Sequence, residues 1–151
     1  TITGGSAAAR VSLDAAIRAS MAKVTGFPAT VGVVPSATYA ATSTTIDNYT
    51  NLVLTQYDNA ATDEAKLSVI MKEYYLATWG NGIEAYNNYR LTGYPAGMQP
   101  ILITPNPGTF IRSYFYPSVF VDRNLNAPAQ KTLGGVVNKV FWDNNPDNFI
   151  K

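Results

Sequence analysis

Cysteine and histidine are both missing from this 151-residue chain. Without cysteine there is no disulfide framework, no thiol nucleophile and no thiolate metal site. Without histidine there is no Ser–His or Cys–His pair and no ordinary zinc site. Charge is also scarce, at 14% of residues against the roughly 25% usual in soluble proteins. A net charge of +1 provides no electrostatic footprint for nucleic acid or anionic lipid. No apolar run approaches the roughly 20 residues that span a bilayer. The chain opens at Thr1 without an initiator methionine or a basic-then-apolar leader, so the expectation is that any targeting signal was removed or lies upstream. Catalysis would have to rest on carboxylates, lysine or tyrosine. The two-carboxylate glycosidase scheme survives that filter.

What remains is 46% hydrophobic and includes ten tyrosines. Polarity comes from Asn, Thr, Ser and Tyr, a surface suited to neutral, hydroxyl-rich ligands and equally to many extracellular proteins. The length suits one domain with a sizeable core.

The spacing of apolar residues predicts four helices. The first runs from Ser12, as N-cap, to Thr25, with Leu13, Ile17, Met21 and Val24 in register. It should stop at Thr25-Gly26-Phe27-Pro28, glycine then an apolar residue then proline. Residues 28 to 43 read as loop with a short extended piece. A second helix fits Thr45 to Asn59, with Ile46, Tyr49, Leu52, Val53 and Tyr57 on one face and Thr44 and Asp47 at capping-box spacing. The third fits Asp63 to Trp79, capped by Thr62, with Leu67, Ile70, Met71, Tyr74 and Tyr75 as its apolar stripe. The fourth fits Gly82 to Thr92 and ends in a second copy of the stop formula, Thr92-Gly93-Tyr94-Pro95. Beyond it, Pro100, Pro105 and Pro107 punctuate an irregular connection. Phe110 to Tyr116 suggests an extended stretch, Pro117 opens a short helix to about Leu125, and Lys139 to Asp143 suggests a brief strand. The fold class is mainly α, with long loops and minor short strands.

Candidate chemistry is sparse. On a helical wheel Arg90 falls near Ile83 and Tyr86 on the apolar side, with Glu84 and Asn88 opposite. Such an arginine either grips a ligand or locks the helix to another element by an ion pair or hydrogen bonds to a carboxylate or carbonyl. Aromatics suit sugar binding, because their faces pack on C–H groups while their polar tips hydrogen-bond. Most of them, including Tyr74, Tyr86 and Trp79, read as core. Tyr39, isolated in a polar loop, reads as exposed and is the one aromatic put forward for ligand contact. The carboxylates Asp14, Asp47, Asp58, Asp63, Glu64, Glu73, Glu84, Asp122, Asp143 and Asp147 are scattered, and no pair declares itself as acid and nucleophile. Gly80-Asn81-Gly82 is not a phosphate loop, and Asp143 to Asp147 lacks calcium-loop spacing. No catalytic residue, metal ligand or cofactor site is assigned.

From Ile70 to Pro95 the chain resembles a known family. Leu76-Ala77-Thr78-Trp79-Gly80, Gly82-Ile83-Glu84-Ala85-Tyr86-Asn87 and Tyr89-Arg90-Leu91-Thr92-Gly93-Tyr94-Pro95 are similar to consecutive motifs of SusD/RagB outer-membrane lipoproteins, in the SusD-like branch. Leu91 stands where a second arginine is usual. Three further segments match in family order: Ala15 to Met21, Arg112 to Pro117 with one extra residue, and Lys139 to Asp143 with Phe141 for a tryptophan. The resemblance implies that residues 1–151 are the C-terminal portion of a SusD-like domain, normally packed on an upstream tetratricopeptide-like helical half. It implies a lipid anchor upstream as the membrane attachment, a cell-surface location, and service to a SusC-like TonB-dependent transporter. The ligand would be a glycan, or in some members a peptide, captured without chemistry or cofactor. Trp79, Gly80, Gly82, Glu84, Tyr86, Arg90, Gly93, Tyr94 and Pro95 would be the structural signature. Ligand residues lie in variable loops of the family, so none carries over. Two other classes stay open: a carboxylate-dependent glycan-active enzyme and a structural helical docking module.

Overall fold

The computed structural model describes residues 5–99, 112–132 and 139–146. It contains five helices, α1 (Gly5–Thr30), α2 (Ser43–Asn59), α3 (Asp63–Ala77), α4 (Gly82–Thr92) and α5 (Ser118–Arg123), and no strand among the described residues. The mainly α class stands. The brief strand expected at 139–143 is absent, the segment ending in a turn closed by Asp143 N–H to the Val140 carbonyl; of the extended stretch expected at 110–116, residues 112–116 form no strand, and 110 and 111 lie outside the described residues. The segment before α5 is paired by a side chain instead of a strand. Gln130 accepts from Tyr116 N–H at 3.0 Å and donates to its carbonyl at 2.8 Å. One amide side chain satisfies both backbone groups, so no ladder is required.

The chain divides into two compact units, Thr1–Ala85 and Tyr86–Lys151. In the first, α1, α2 and α3 pack on one another. Its core is Leu13, Ile17, Val53, Leu54 and Tyr57, flanked by Ala9, Met21, Tyr49, Val69 and Ile70. Tyr57 donates its hydroxyl to the Ser6 carbonyl at 2.9 Å, and Arg10 grips Asp58 through two hydrogen bonds of 2.7 and 2.9 Å.

Expectations about each of these three helices are corrected. α1 starts at Gly5 and continues through Gly26 and Pro28, so Ser12 lies mid-helix and is not a cap. Gly26 is not in the left-handed region, whereas Gly32 is, at φ +69°. Glycine permits a left-handed turn without imposing one. Pro28 removes a single N–H, and the Thr25 and Thr30 hydroxyls cap carbonyls of this last stretch. α2 is capped by Thr42, whose hydroxyl accepts from Thr45 N–H at 3.1 Å, and not by Thr44; Leu52 points to solvent. α3 keeps its Thr62 cap, with 3.1 Å from Ala65 N–H, but ends at Ala77. Lys66, Val69, Ile70 and Glu73 form a packed row; Ile70, Met71 and Tyr75 of the expected stripe are half-buried, while Leu67 and Tyr74 are exposed. That row has helical i, i+3, i+4, i+7 spacing, and its charged members have partners: Lys66 lies 5.6 Å over the Tyr57 ring and Glu73 meets Tyr49.

In the second unit α4 ends as the stop formula predicts. Gly93 takes φ +73°, and its N–H closes on the Tyr89 carbonyl at 2.8 Å. Tyr89, Tyr94, Asn88 and Ser113 are buried. Asn88 was expected on the polar face, and Ile83, expected on the apolar one, is exposed. Pro117 is the N-cap residue of α5 and precedes its first turn.

Candidate functional site

Two constellations carry the polar chemistry, one in each unit. In the first unit Glu73 is 8% exposed. Its Oε2 accepts the Tyr49 hydroxyl at 2.6 Å, and Lys72 Nζ lies 3.3 Å from Oε1. Burial, then the hydrogen bond to Glu73 and its charge, pushes the Tyr49 hydroxyl up to about 12. This pair sits on the wall of a groove of about 1060 Å³ between α1 and α3. The α1 side presents Ala8, Ser12, Ala16 and Ser20, and the rim ends at Trp79. Trp79, expected in the core, is 93% exposed. It follows α3 by one turn and has left the packed bundle.

The second unit is organised around Asp143, whose side chain is nearly buried. Arg112 holds it through Nε at 2.9 Å and Nη2 at 2.7 Å, and the backbone N–H of Asn145 bonds its Oδ1 at 3.1 Å. Arg112 also donates to the Asn145 and Pro146 carbonyls. Burial alone would raise the Asp143 carboxyl, but the Arg112 hydrogen bonds, the Asn145 N–H and the charges of Arg112 and Arg90 hold it below its usual value. Arg90 approaches the same carboxylate with Nη2 at 3.7 Å and lies 5.8 Å from the centre of the Tyr86 ring. Asn145 Nδ2 bonds the Arg90 carbonyl at 3.0 Å. The partner expected for Arg90, a carboxylate or a carbonyl, is therefore the Asp143 carboxylate, but the residue that grips Asp143 closely is Arg112.

The other named residues are dispersed. Trp79, Gly80, Gly82 and Glu84 belong to the first unit; Tyr86, Arg90, Gly93, Tyr94 and Pro95 belong to the second. Gly80 needs its lack of a side chain, at φ +87°. Glu84 is exposed and accepts the Tyr74 hydroxyl at 3.3 Å. Tyr39 is 86% exposed in the turn before α2. Among the described residues no group of His, Cys, Asp or Glu could hold a metal ion, and Asp147 lies outside them. The Tyr49–Glu73 pair was not anticipated, although a lone glutamate three residues after Ile70 on an apolar stripe was a legible signal. Arg112 was visible only as part of a motif.

A model of the SusD-like family, Susd and RagB outer membrane lipoprotein, matches residues 14–124, and the chain belongs to that family. Its members are generally binding proteins of the outer membrane. No curated protein and no solved structure matches the chain. Among the described residues no helix is long and apolar enough to cross a membrane.

Proposed function

We propose that the protein captures a nutrient at the cell surface, a glycan first and a peptide second, and delivers it without chemistry to a SusC-like TonB-dependent transporter. Membership of the SusD-like family carries this reading. A lipid anchor upstream of the chain holds the protein at the outer membrane, and capture uses aromatic faces and polar side chains in loops, of which the exposed Tyr39 is one candidate. The residues from Trp79 to Pro95 serve as scaffold.

A glycan and peptide binding screen on the full-length protein, run with a turnover assay and with affinity purification from solubilised outer membranes, tests it. The expected result is binding without turnover, together with recovery of a TonB-dependent transporter. Turnover lost on replacing one Asp or Glu would make the protein an enzyme instead. Transporter recovery with no affinity for any glycan or peptide would leave a docking module.

A further inference from the structure

Among the described residues that line the groove between α1 and α3, Glu73 alone carries a charge. The α1 wall is a row of Ala8, Ser12, Ala16 and Ser20, spaced one helical turn apart and therefore stacked along one face. No side chain of that row reaches beyond a γ-oxygen, so the wall is low and straight for about 18 Å of helix. The remaining lining is mainly apolar, with Leu13 and Ile17 contributed by the core.

Glu73 is the anomaly in this lining, because its side chain is 8% exposed and only half satisfied. Oε2 accepts the Tyr49 hydroxyl at 2.6 Å, whereas Oε1 has no hydrogen-bond partner among the described residues. Lys72 Nζ lies 3.3 Å from Oε1, outside hydrogen-bond geometry, and donates instead to Gln56 of α2 at 3.0 Å. Buried polar atoms in folded proteins nearly always have a partner. What this wall calls for is a donor brought by an occupant.

We infer that the groove docks an amphipathic helix of a partner protein, with a lysine or arginine of its apolar face set against Glu73. The charge of the lining is a single negative one, and a cation complements it. Mainly apolar walls offer little to pair with backbone N–H and C=O groups or with sugar hydroxyls. An extended peptide or a glycan would bury unmet polar groups there, whereas a helix satisfies its own backbone. The small side chains from Ala8 to Ser20 let a helix axis approach α1 to about 8 Å, the close end of helix packing. This docking is separate from nutrient capture and does not depend on it.

The probe is a synthetic amphipathic helix with one lysine in the middle of its Leu/Ala face, titrated by fluorescence anisotropy into the full-length protein beside the same peptide with that lysine acetylated. The lysine form should bind about tenfold or more tightly, the scale of one charge-assisted contact. Glu73→Gln, whose amide oxygen still accepts the Tyr49 hydroxyl, should erase that preference. Ala16→Leu fills the groove at an exposed helical position and should abolish binding of both peptides, while Ala15→Leu, exposed on α1 but outside the lining, should leave both unchanged. Equal binding of the two peptides, or a preference that survives Glu73→Gln, overturns the pairing with Glu73. Binding that survives Ala16→Leu overturns the location. Maleimide labelling of Ala16→Cys in the native full-length protein completes the test. Rapid labelling that the lysine peptide slows supports a docking groove, and a thiol that reacts only after denaturation shows the groove filled by the protein's own chain and overturns the partner.

Discussion

Tyr49 and Glu73 show how one hydroxyl can decide whether a buried carboxylate is tolerated. Replacing Tyr49 by Phe keeps the ring and removes the 2.6 Å donor. Leaving a buried acceptor short of its donor costs about 1–3 kcal/mol, and the loss should appear as a lower denaturation midpoint at pH 7. The same pair sets an alkaline limit. The Tyr49 hydroxyl is raised from 10.0 to about 12 in the fold, so its contribution is complete below pH 10 and lost as pH rises through 12. Tyr49→Phe should flatten that limb of the stability profile. At the other end of the scale, Asp143 lies below its usual 3.8. A depressed carboxyl contributes above its unfolded value and loses that contribution as pH falls through the folded one. Melts followed from pH 7 down to 2 should therefore show acid loss below about 3.8 that is reduced in Asp143→Asn, with Asp58, also held low by its hydrogen bonds to Arg10, keeping the remainder. Arg112→Gln should lower the melting temperature more than Arg90→Gln, because Arg112 makes the short contacts.

At the level of the helices, the caps divide residues that look alike in sequence. Thr42 and Thr62 accept the first free N–H groups of α2 and α3 at 3.1 Å, so Thr42→Ala and Thr62→Ala should each cost about 1 kcal/mol. Thr44→Ala and Ser12→Ala, at the rejected cap positions, should cost much less in the same urea titrations. The two stop formulas separate in the same fashion. Gly93→Ala places a side chain at φ +73° and should cost about 1–2 kcal/mol. Gly26→Ala, inside α1, should stabilise instead, since glycine there only adds chain entropy to the unfolded state.

On the scale of the whole chain, the first unit is a small three-helix core beside a groove of about 1060 Å³. Val24, Phe27, Leu76 and Trp79 are exposed on this part of the chain. Residues 1–151 produced alone should accordingly bind a hydrophobic dye in their folded state, and quenching should report on Trp79 when Trp142→Phe leaves it as the single tryptophan. A dye-free, highly stable fold would contradict that expectation. Leu54→Ala, in the packed centre, should cost about 2–5 kcal/mol and raise dye binding further.

Local chemistry was enough to read the helical class, the extent of α4, the Thr62 cap, the Gly93 stop and the need of Arg90 for a polar partner. Each depends on residues within a few positions, where dihedral preference, capping and period act directly. The family motif from Ile70 to Pro95 was legible for the same reason. Packing alone chose which row of α3 turns inward, because a Glu at position 73 is acceptable only when Tyr49, 24 residues earlier, reaches it. Packing also chose Gln130 in place of a strand as the partner of Tyr116, and Arg112 as the close holder of Asp143 across 31 residues. A buried charge or an extended segment needs a partner, and sequence spacing cannot name one that only the fold brings near.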